Sequence, residues 1–138
     1  MIIGQGNWED AMKQVWIIDD DEEMIHAVEL MLRLLDFQTC FFLGARPAAL
    51  ELLSGHRPDL LLLDINMPVV SGLELLEFIR SRKEFKEIPV VMLTSEAADV
   101  LVDKSIGMGA DAYVTKPAAV SEMEEAIQKA FRAHGITA

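Results

Sequence analysis

The sequence predicts an α/β fold in which a five-stranded parallel sheet carries helices on both faces. Two observations lead to this prediction. Five short apolar segments alternate along the chain with segments whose apolar residues recur every three or four positions. The apolar segments are continuous rather than alternating with polar residues, which is typical of parallel strands buried on both faces. The order βαβαβαβαβα then implies right-handed crossovers between parallel strands.

Each predicted strand is a short apolar or β-branched run. The strands are Val15–Ile18, Thr39–Leu43, Leu60–Leu63, Val90–Leu93 and Ala110–Thr115. Pro89 precedes the fourth strand, at a position where a missing amide N–H is tolerated. The second strand ends in the apolar Leu43, whereas the other four lead into polar residues. We therefore expect the second strand to lie at an edge of the sheet, away from any polar site.

Five helical segments follow the five strands. Their apolar periods run over Met24–Leu35, Ala49–Leu53, Leu75–Ile79, Ala98–Ile106 and Val120–Phe131. Pro47 precedes the second period, and proline favours the first turn of a helix. Gly107 follows the fourth period, where glycine can adopt the left-handed conformation that ends a helix.

Length and composition exclude several classes of protein. The chain has 138 residues, of which 51% are hydrophobic, so it suits one globular domain and is not disordered. Its net charge of −11 opposes binding to a nucleic-acid backbone or an anionic membrane surface. The single cysteine, Cys40, excludes a disulfide framework and indicates a reducing compartment.

The chain shows neither an apolar run of about 18 residues, as a membrane span requires, nor a secretory signal at its start. We therefore expect a cytoplasmic protein. We divide the chain into an N-terminal extension (1–13), one domain (14–134) and a C-terminal tail (135–138). The extension lies outside the strand–helix pattern, and it fits either a disordered lead or a short helix.

Polar side chains follow four of the five predicted strands. In an open α/β sheet, ligands bind outside the carboxyl ends of the strands. Because parallel strands share that edge, we expect these residues to lie close together. They are Asp19, Asp20 and Asp21 after the first strand, Asp64 after the third, Thr94 and Ser95 after the fourth, and Lys116 after the fifth.

This cluster of acids predicts that the site binds a cation and takes part in phosphoryl transfer. Two like charges 4 Å apart repel by about 4 kcal/mol at an effective dielectric near 20, so the site must protonate or hold a cation. Oxygen ligands suit Mg²⁺, and the paired Asp19 and Asp20 suit metal binding. Lys116 adds a positive charge and Thr94 a hydroxyl, which together suit a phosphoryl group. Asp64 ends the predicted central strand and is the best candidate for a nucleophile that forms an aspartyl-phosphate.

Four motifs, in order and at these spacings, resemble the receiver domain of bacterial two-component response regulators. The motifs are Ile17–Asp21, Leu63–Pro68 with Gly72, Leu93–Ser95 and Tyr113–Pro117. The resemblance runs from about Gln14 to Phe131. It implies a doubly wound, flavodoxin-like sheet with strand order 2-1-3-4-5. The residues at the dephosphorylation-tuning positions are similar to those of the stand-alone chemotaxis regulator.

The resemblance also implies a role for each matching residue in phosphoryl transfer. Asp64 matches the phosphoacceptor, and Lys116 matches the lysine that contacts the phosphoryl group. Asp19 and Asp20 match the acidic pair that holds Mg²⁺, Asp20 directly and Asp19 through water. Asn66 matches the residue whose backbone carbonyl completes the metal shell.

Further positions match the switch and the tuning residues of the family. Thr94 matches the hydroxyl that moves toward the phosphoryl group, and Tyr113 matches the aromatic switch. Ser95 matches a small residue that leaves room for the phosphoryl group. Asn66 and Glu96 match positions that tune dephosphorylation. Ala118 departs from the family, which commonly carries phenylalanine at this position.

The implied function is a phosphorylation-controlled signalling switch rather than an enzyme acting on free substrates. A histidine kinase or a histidine phosphotransfer protein is the expected phosphoryl donor. A downstream effector is expected on the face of the fourth helix, fifth strand and fifth helix, where Val100 is a candidate contact. Phosphorylation-dependent dimerisation through that face is a further expectation. No output domain follows, so we expect a free-standing regulator or a domain from a longer chain.

Three other functions remain open at this stage. The first is a Mg²⁺-dependent phosphohydrolase that forms an aspartyl-phosphate, similar to the haloacid-dehalogenase group. That group carries an acid two positions after the nucleophile, where this chain has Asn66. The second is a flavin-binding electron carrier, although three aspartates follow the first strand where a phosphate loop is needed. The third is a degenerate receiver that only docks partners.

Plainer structural readings accompany some of these residues. Asp21 fits a helix cap as well as it fits a metal site, and Tyr113 fits strand packing as well as a switch. Trp16 and Cys40 are expected in the core. Surface positions are expected for His26, His56 and His134, and for the basic stretch of Arg80, Arg82, Lys83 and Lys86.

Overall fold

Strands and helices alternate along the chain as predicted. The computed structural model describes residues 12–95, 99–116 and 118–137, without the side chain of Asp99. The strands in these residues are β1 (Gln14–Asp19), β2 (Gln38–Leu43), β3 (Leu60–Asp64), β4 (Val90–Thr94) and β5 (Ala112–Thr115). The helices are α1 (Glu22–Leu34), α2 (Ala45–Leu53), α3 (Gly72–Ser81), α4 (Asp99–Gly107) and α5 (Val120–Ala133).

The sheet is fully parallel and has the strand order β2-β1-β3-β4-β5, which confirms the doubly wound topology. β2 lies at one edge, as its apolar end predicted. β5 begins two residues later than expected, because the Ala110 N–H instead bonds the Ser105 carbonyl at 2.9 Å in the turn after α4. The order reverses between β1 and β3, so the two strands that end in Asp19 and Asp64 flank the switch point.

Two apolar cores cover the two faces of the sheet. Alternate residues of the central strands pack against α1 and α5 on one face, and the intervening residues pack against α2 and α3 on the other. All four leucines from Leu60 to Leu63 are 0% exposed, which explains their continuous apolar sequence. Trp16 is 2% exposed and belongs to the second core, as predicted, whereas Cys40 is only half-buried.

A polar network ties the opposite edge of the sheet, where the strands begin. The Arg80 guanidinium donates to the Gly109 carbonyl at 2.8 Å and to Asp111 Oδ2 at 3.0 Å. The same carboxylate oxygen lies 2.9 Å from His134 Nε2. The side chains of Arg80 and His134 are only 15% and 11% exposed, so the expected surface position is wrong for both. Single-residue polarity gave no sign of this, since the partners come from distant segments.

The described helices include none that is long and apolar enough to cross a membrane. Residues 1–11 of the expected N-terminal extension lie outside the described residues, as do Glu96 and Pro117 of the predicted site. The assignment of 14–134 as a domain and 135–138 as a tail stays a prediction.

Candidate functional site

Four of the predicted site residues converge at the carboxyl edge of the sheet. The Lys116 ammonium lies 2.7 Å from Asp19 Oδ2 and 3.2 Å from Asp64 Oδ1. Asp19, Asp20 and Asp64 each offer a carboxylate oxygen, and these oxygens lie within 4.8 Å of one another. The strand order causes this convergence, because β1 and β3 are neighbours and β5 follows β4 on the same side. The sequence prediction of one clustered site is therefore matched by the geometry.

The backbone around the acids holds their positions. The Asp21 N–H donates to Asp19 Oδ1 at 3.1 Å, which orients the buried carboxylate. Asp21 itself caps α1, because its Oδ1 accepts from the N–H groups of Glu23 and Met24 at 3.0 and 3.3 Å. Of the two readings of Asp21, the helix cap is the one observed. Asp20, between them, is exposed and faces the rim of the site.

Burial and like charge perturb the phosphoacceptor candidate. Asp64 is 4% exposed, and its desolvation together with the negative charge of Asp19 raises its pKa to about 7. Lys116 opposes this rise. Burial alone lowers the pKa of the Lys116 ammonium, but hydrogen bonds and attraction from Asp19 and Asp64 outweigh that effect and raise it. Lys116 thus stays a cation, while Asp64 exchanges a proton near neutral pH.

The charges at the site do not balance within the protein. Three carboxylates face one ammonium group, and Asp19 is 0% exposed, so water does little to screen its charge. Oxygen ligands from two strand ends, open at the exposed Asp20, are the donor set that hard divalent cations prefer. The residues present therefore fit a metal ion that would offset the remaining negative charge.

A close backbone approach places α3 against the end of β3. The Gly72 N–H donates to the Ile65 carbonyl at 2.9 Å, which closes the loop after Asp64. A Cβ atom at position 72 would lie 2.0 Å from the Asp64 carbonyl oxygen. Only glycine fits this contact. Gly72 belongs to one of the sequence motifs, but its contact with Asp64 was not predicted. The available signal was a glycine at the first position of a helix, because glycine is a poor helix former.

The remaining predicted residues lie around this centre. Thr94 is 1% exposed at the end of β4, and its carbonyl accepts the Lys116 N–H at 2.6 Å. Ser95 and the Asn66 side chain are exposed. Tyr113 is 47% exposed on β5, so its ring stands at the surface rather than inside the core. Glu96 lies outside the described residues, and the roles of all five positions stay predictions.

Known proteins with a similar sequence or structure are receiver domains and response regulators. The response regulator receiver domain family model matches residues 15–128. The chain is 31% identical over 118 residues to chemotaxis protein CheY of Pseudomonas aeruginosa, covering 86% of this chain and 95% of that protein. It is 32% identical over 116 residues to the polar-differentiation response regulator DivK of Brucella anthropi, covering 84% and 94%. The structure of Vibrio cholerae CheY4 superposes with a TM-score of 0.78 at 24% identity, covering 86% and 98%, and supports the fold.

Proposed function

Because the chain belongs to the response regulator receiver family, we propose that it is a signalling switch that accepts a phosphoryl group on Asp64. One observation carries this proposal. A buried carboxylate at a strand end lies 3.2 Å from a lysine ammonium and within 4.8 Å of two further carboxylates. Buried like charges destabilise the native state, so such a cluster lowers the stability of the fold. A functional role explains why a protein would keep it.

Magnesium is the cofactor we propose for this site. Asp19, Asp20 and Asp64 would hold it, with the Asn66 backbone carbonyl as a further ligand. When bound, Mg²⁺ supplies positive charge that offsets the charge of the phosphoryl oxygens. The exposed Asp20 leaves an open rim, which suits an ion that keeps several waters and takes a substrate oxygen as a ligand.

The protein's own residues position and neutralise the transferred group. An Asp64 carboxylate oxygen attacks the phosphorus of a phosphohistidine in line, and the P–N bond breaks as the new O–P bond forms. The electron pair of the broken bond returns to the donor imidazole, which takes up a proton from water. The Lys116 ammonium, now between Asp19 and Asp64, donates to a phosphoryl oxygen. Later attack by water on the phosphorus breaks the O–P bond, restores the Asp64 carboxylate and releases inorganic phosphate, and Asn66 and Glu96 tune that step.

The phosphoryl donor is a histidine kinase or a histidine phosphotransfer protein, and the output is a change in partner binding. The Thr94 hydroxyl donates a hydrogen bond to the new phosphoryl group. The exposed Tyr113 then turns inward into the space that Thr94 has vacated. Phosphorylation shifts the equilibrium only through contacts that differ between the two states. The responding face comprises α4, β5 and α5, where Val100 is 79% exposed and available to an effector or a second copy.

The switch acts in the cytoplasm and turns over no free substrate. Its chemistry is limited to its own phosphorylation and dephosphorylation. The alternative is a Mg²⁺-dependent aspartyl-phosphate phosphohydrolase, and Asn66 opposes it because an amide cannot act as the general acid or base. Multiple turnover of small phosphate monoesters would favour the hydrolase over the switch.

Labelling by acetyl phosphate with Mg²⁺ tests the proposal. Intact mass should show one added phosphoryl group on the wild type, and chelation of the metal should prevent it. Asp64→Asn should abolish labelling, whereas Asp103→Asn, an exposed aspartate on α4, should label like the wild type. A wild-type mass that stays unchanged, or labelling that persists in Asp64→Asn, would contradict the assignment.

A further inference from the structure

A groove with aromatic walls lies at the edge of the sheet where the strands begin, opposite to the acidic cluster. Its volume is about 430 Å³, and β1, β2 and the end of α2 border it. β1 begins at this groove and ends in the acidic cluster, so the length of the strand separates the two sites. The residues that line the groove include Gln14, Trp16, Cys40, Phe42, Glu51 and Arg57.

The sheet leaves apolar surface open in this groove. Trp16 is 2% exposed, but Cys40 and Phe42 beside it are only half-buried. The ring centroids of Trp16 and Phe42 are 4.8 Å apart with an interplanar angle of 56°, a tilted geometry that aromatic side chains favour. The groove has about three times the roughly 150 Å³ of an apolar cavity that takes up benzene. It therefore has room for a further aromatic ring.

A cation stands at the side of the groove. Arg57 is exposed, and its guanidinium carbon lies 5.3 Å from the centre of the Phe85 ring. Arg57 forms no ion pair with any residue in the part of the chain that the structure describes. The nearby Glu51 carboxylate instead contacts the His56 imidazole. The groove thus favours an occupant that combines an aromatic ring with acidic residues.

The N-terminal extension of this chain has that composition. Residues 1–11 lie outside the described residues, and Trp8 is the only aromatic residue among them. Glu9 and Asp10 follow it directly. An aromatic side chain followed by two carboxylates complements a groove with aromatic walls and an arginine at its side.

The chain enters the sheet beside the groove. The Lys13 carbonyl accepts the Gln38 N–H at 3.0 Å, and the Gln14 N–H donates to Asp59 Oδ2 at 2.7 Å, so the chain is held where β1 and β2 begin. Gln14 itself lines the groove. An extended chain spans at most about 3.6 Å per residue, so Trp8, six positions earlier, reaches up to about 20 Å from Gln14. The groove therefore lies within reach of Trp8.

We propose that this groove is the docking site of the N-terminal extension of the same chain. Trp8 packs beside Trp16 and Phe42, and Glu9 and Asp10 face Arg57. A second copy is the weaker candidate, because it brings a net charge of −11, whereas a linked segment meets its site at an effective concentration on the order of millimolar. The docked extension covers apolar surface next to the edge strand β2, which limits the association of other chains there.

The reactivity of Cys40 reports whether the groove is occupied. Cys40 is the only cysteine of the chain and lines the groove, so a docked Trp8 shields its thiol. The full chain is treated with N-ethylmaleimide at one fixed pH, and intact mass gives the alkylation rate. Trp8→Ala removes the ring, and Arg57→Gln removes the cation. The controls are Ile3→Ala, at another apolar residue of the extension, and Gly72→Ala, which strains the opposite edge of the sheet.

Trp8→Ala should be alkylated about tenfold faster than the wild type, because the loss of the aromatic contacts opens the groove. Arg57→Gln should react about threefold faster, as expected for the loss of an exposed ion pair. Ile3→Ala and Gly72→Ala should react at the wild-type rate. Circular dichroism checks that every variant is folded at the assay temperature.

Equal rates for the wild type and Trp8→Ala would overturn the inference. An increase in Ile3→Ala or Gly72→Ala that matches the increase in Trp8→Ala would also overturn it, because the shielding would then not come from Trp8. The wild-type rate should be independent of protein concentration. Shielding that grows with concentration and is lost in Trp8→Ala would assign the groove to the extension of a second copy instead. These measurements involve no phosphorylation, so their failure leaves the proposed function unaffected.

Discussion

The buried Asp64 should make folding stability depend on pH in an unusual direction. Its pKa rises from an ordinary value near 3.8 to about 7 in the folded state, so the native protein binds this proton more tightly than the unfolded chain does. The stability contribution of this proton is complete below the unfolded pKa and is lost as the pH rises through about 7. Without metal, Asp64 therefore destabilises the fold at alkaline pH.

The size of this effect follows from the shift. Each pKa unit corresponds to about 1.4 kcal/mol, so the full shift corresponds to about 4 kcal/mol. The exposed Asp20 keeps water at the rim of the site, and solvent lessens the penalty, so we expect about 2 kcal/mol. Asp64→Asn removes the charge at nearly constant shape. It should therefore be about 2 kcal/mol more stable than the wild type at about pH 8, with a clearly smaller difference at about pH 5, because the loss begins at the unfolded pKa of 3.8 and is complete only above about 7.

Urea unfolding followed by circular dichroism, with metal chelated, measures this difference. The comparison of variant with wild type cancels the titration of the other carboxylates. Asp103→Asn, at an exposed position, is the matched control and should track the wild type at both pH values. Added Mg²⁺ should stabilise the wild type more than Asp64→Asn. If Asp64→Asn were no more stable than the wild type at about pH 8, the destabilising role of the buried charge would be refuted.

Three further substitutions probe the scaffold. Gly72→Ala should lower the free energy of unfolding by about 2 kcal/mol and slow labelling by acetyl phosphate, because its Cβ would lie 2.0 Å from the Asp64 carbonyl oxygen. Labelling at the wild-type rate would contradict this. Arg80→Met should lower the free energy of unfolding in urea by about 3 kcal/mol, since it removes the guanidinium that donates to Asp111 and to the carbonyls of Gly109 and Ile88; Arg82→Met, whose side chain is 42% exposed, is the control. Val69→Asn should raise the free energy of unfolding by about 1 kcal/mol, because Val69 has a φ of +69°, which asparagine adopts more easily than valine, and is 94% exposed. A lower free energy of unfolding would show that the Val69 side chain contributes packing.

The site costs stability because its charged residues are incompletely paired. Lys116 contacts two carboxylates that lie at the ends of different strands, and the remaining charge is uncompensated within the described residues around it. A site of this kind exchanges stability for the ability to bind a cation and a phosphoryl group. The pH dependence of stability and the proposed function both depend on the burial of Asp64.

The sequence alone determined the order of the elements and the edge of the sheet at which three acids and a lysine meet. Continuous apolar runs such as Leu60–Leu63 indicate strands buried on two faces, and this pattern is local, so it survives without knowledge of the fold. The position of Asp19, Asp64 and Lys116 after three such strands was also readable. Parallel strands bring their ends to one edge, so clustering followed from the class of fold.

Tertiary structure decided the features that depend on distances between remote segments. Lys116 and Asp19 are 97 positions apart, and their 2.7 Å contact arises from the strand order and the packing of the sheet. The raised pKa of Asp64 depends on the same packing, because it requires burial as well as charge. The close contact between Gly72 and the Asp64 carbonyl oxygen likewise depends on how α3 packs against the end of β3. A periodic pattern reports which face of a segment is buried, but it carries no information about which atoms fill the space opposite.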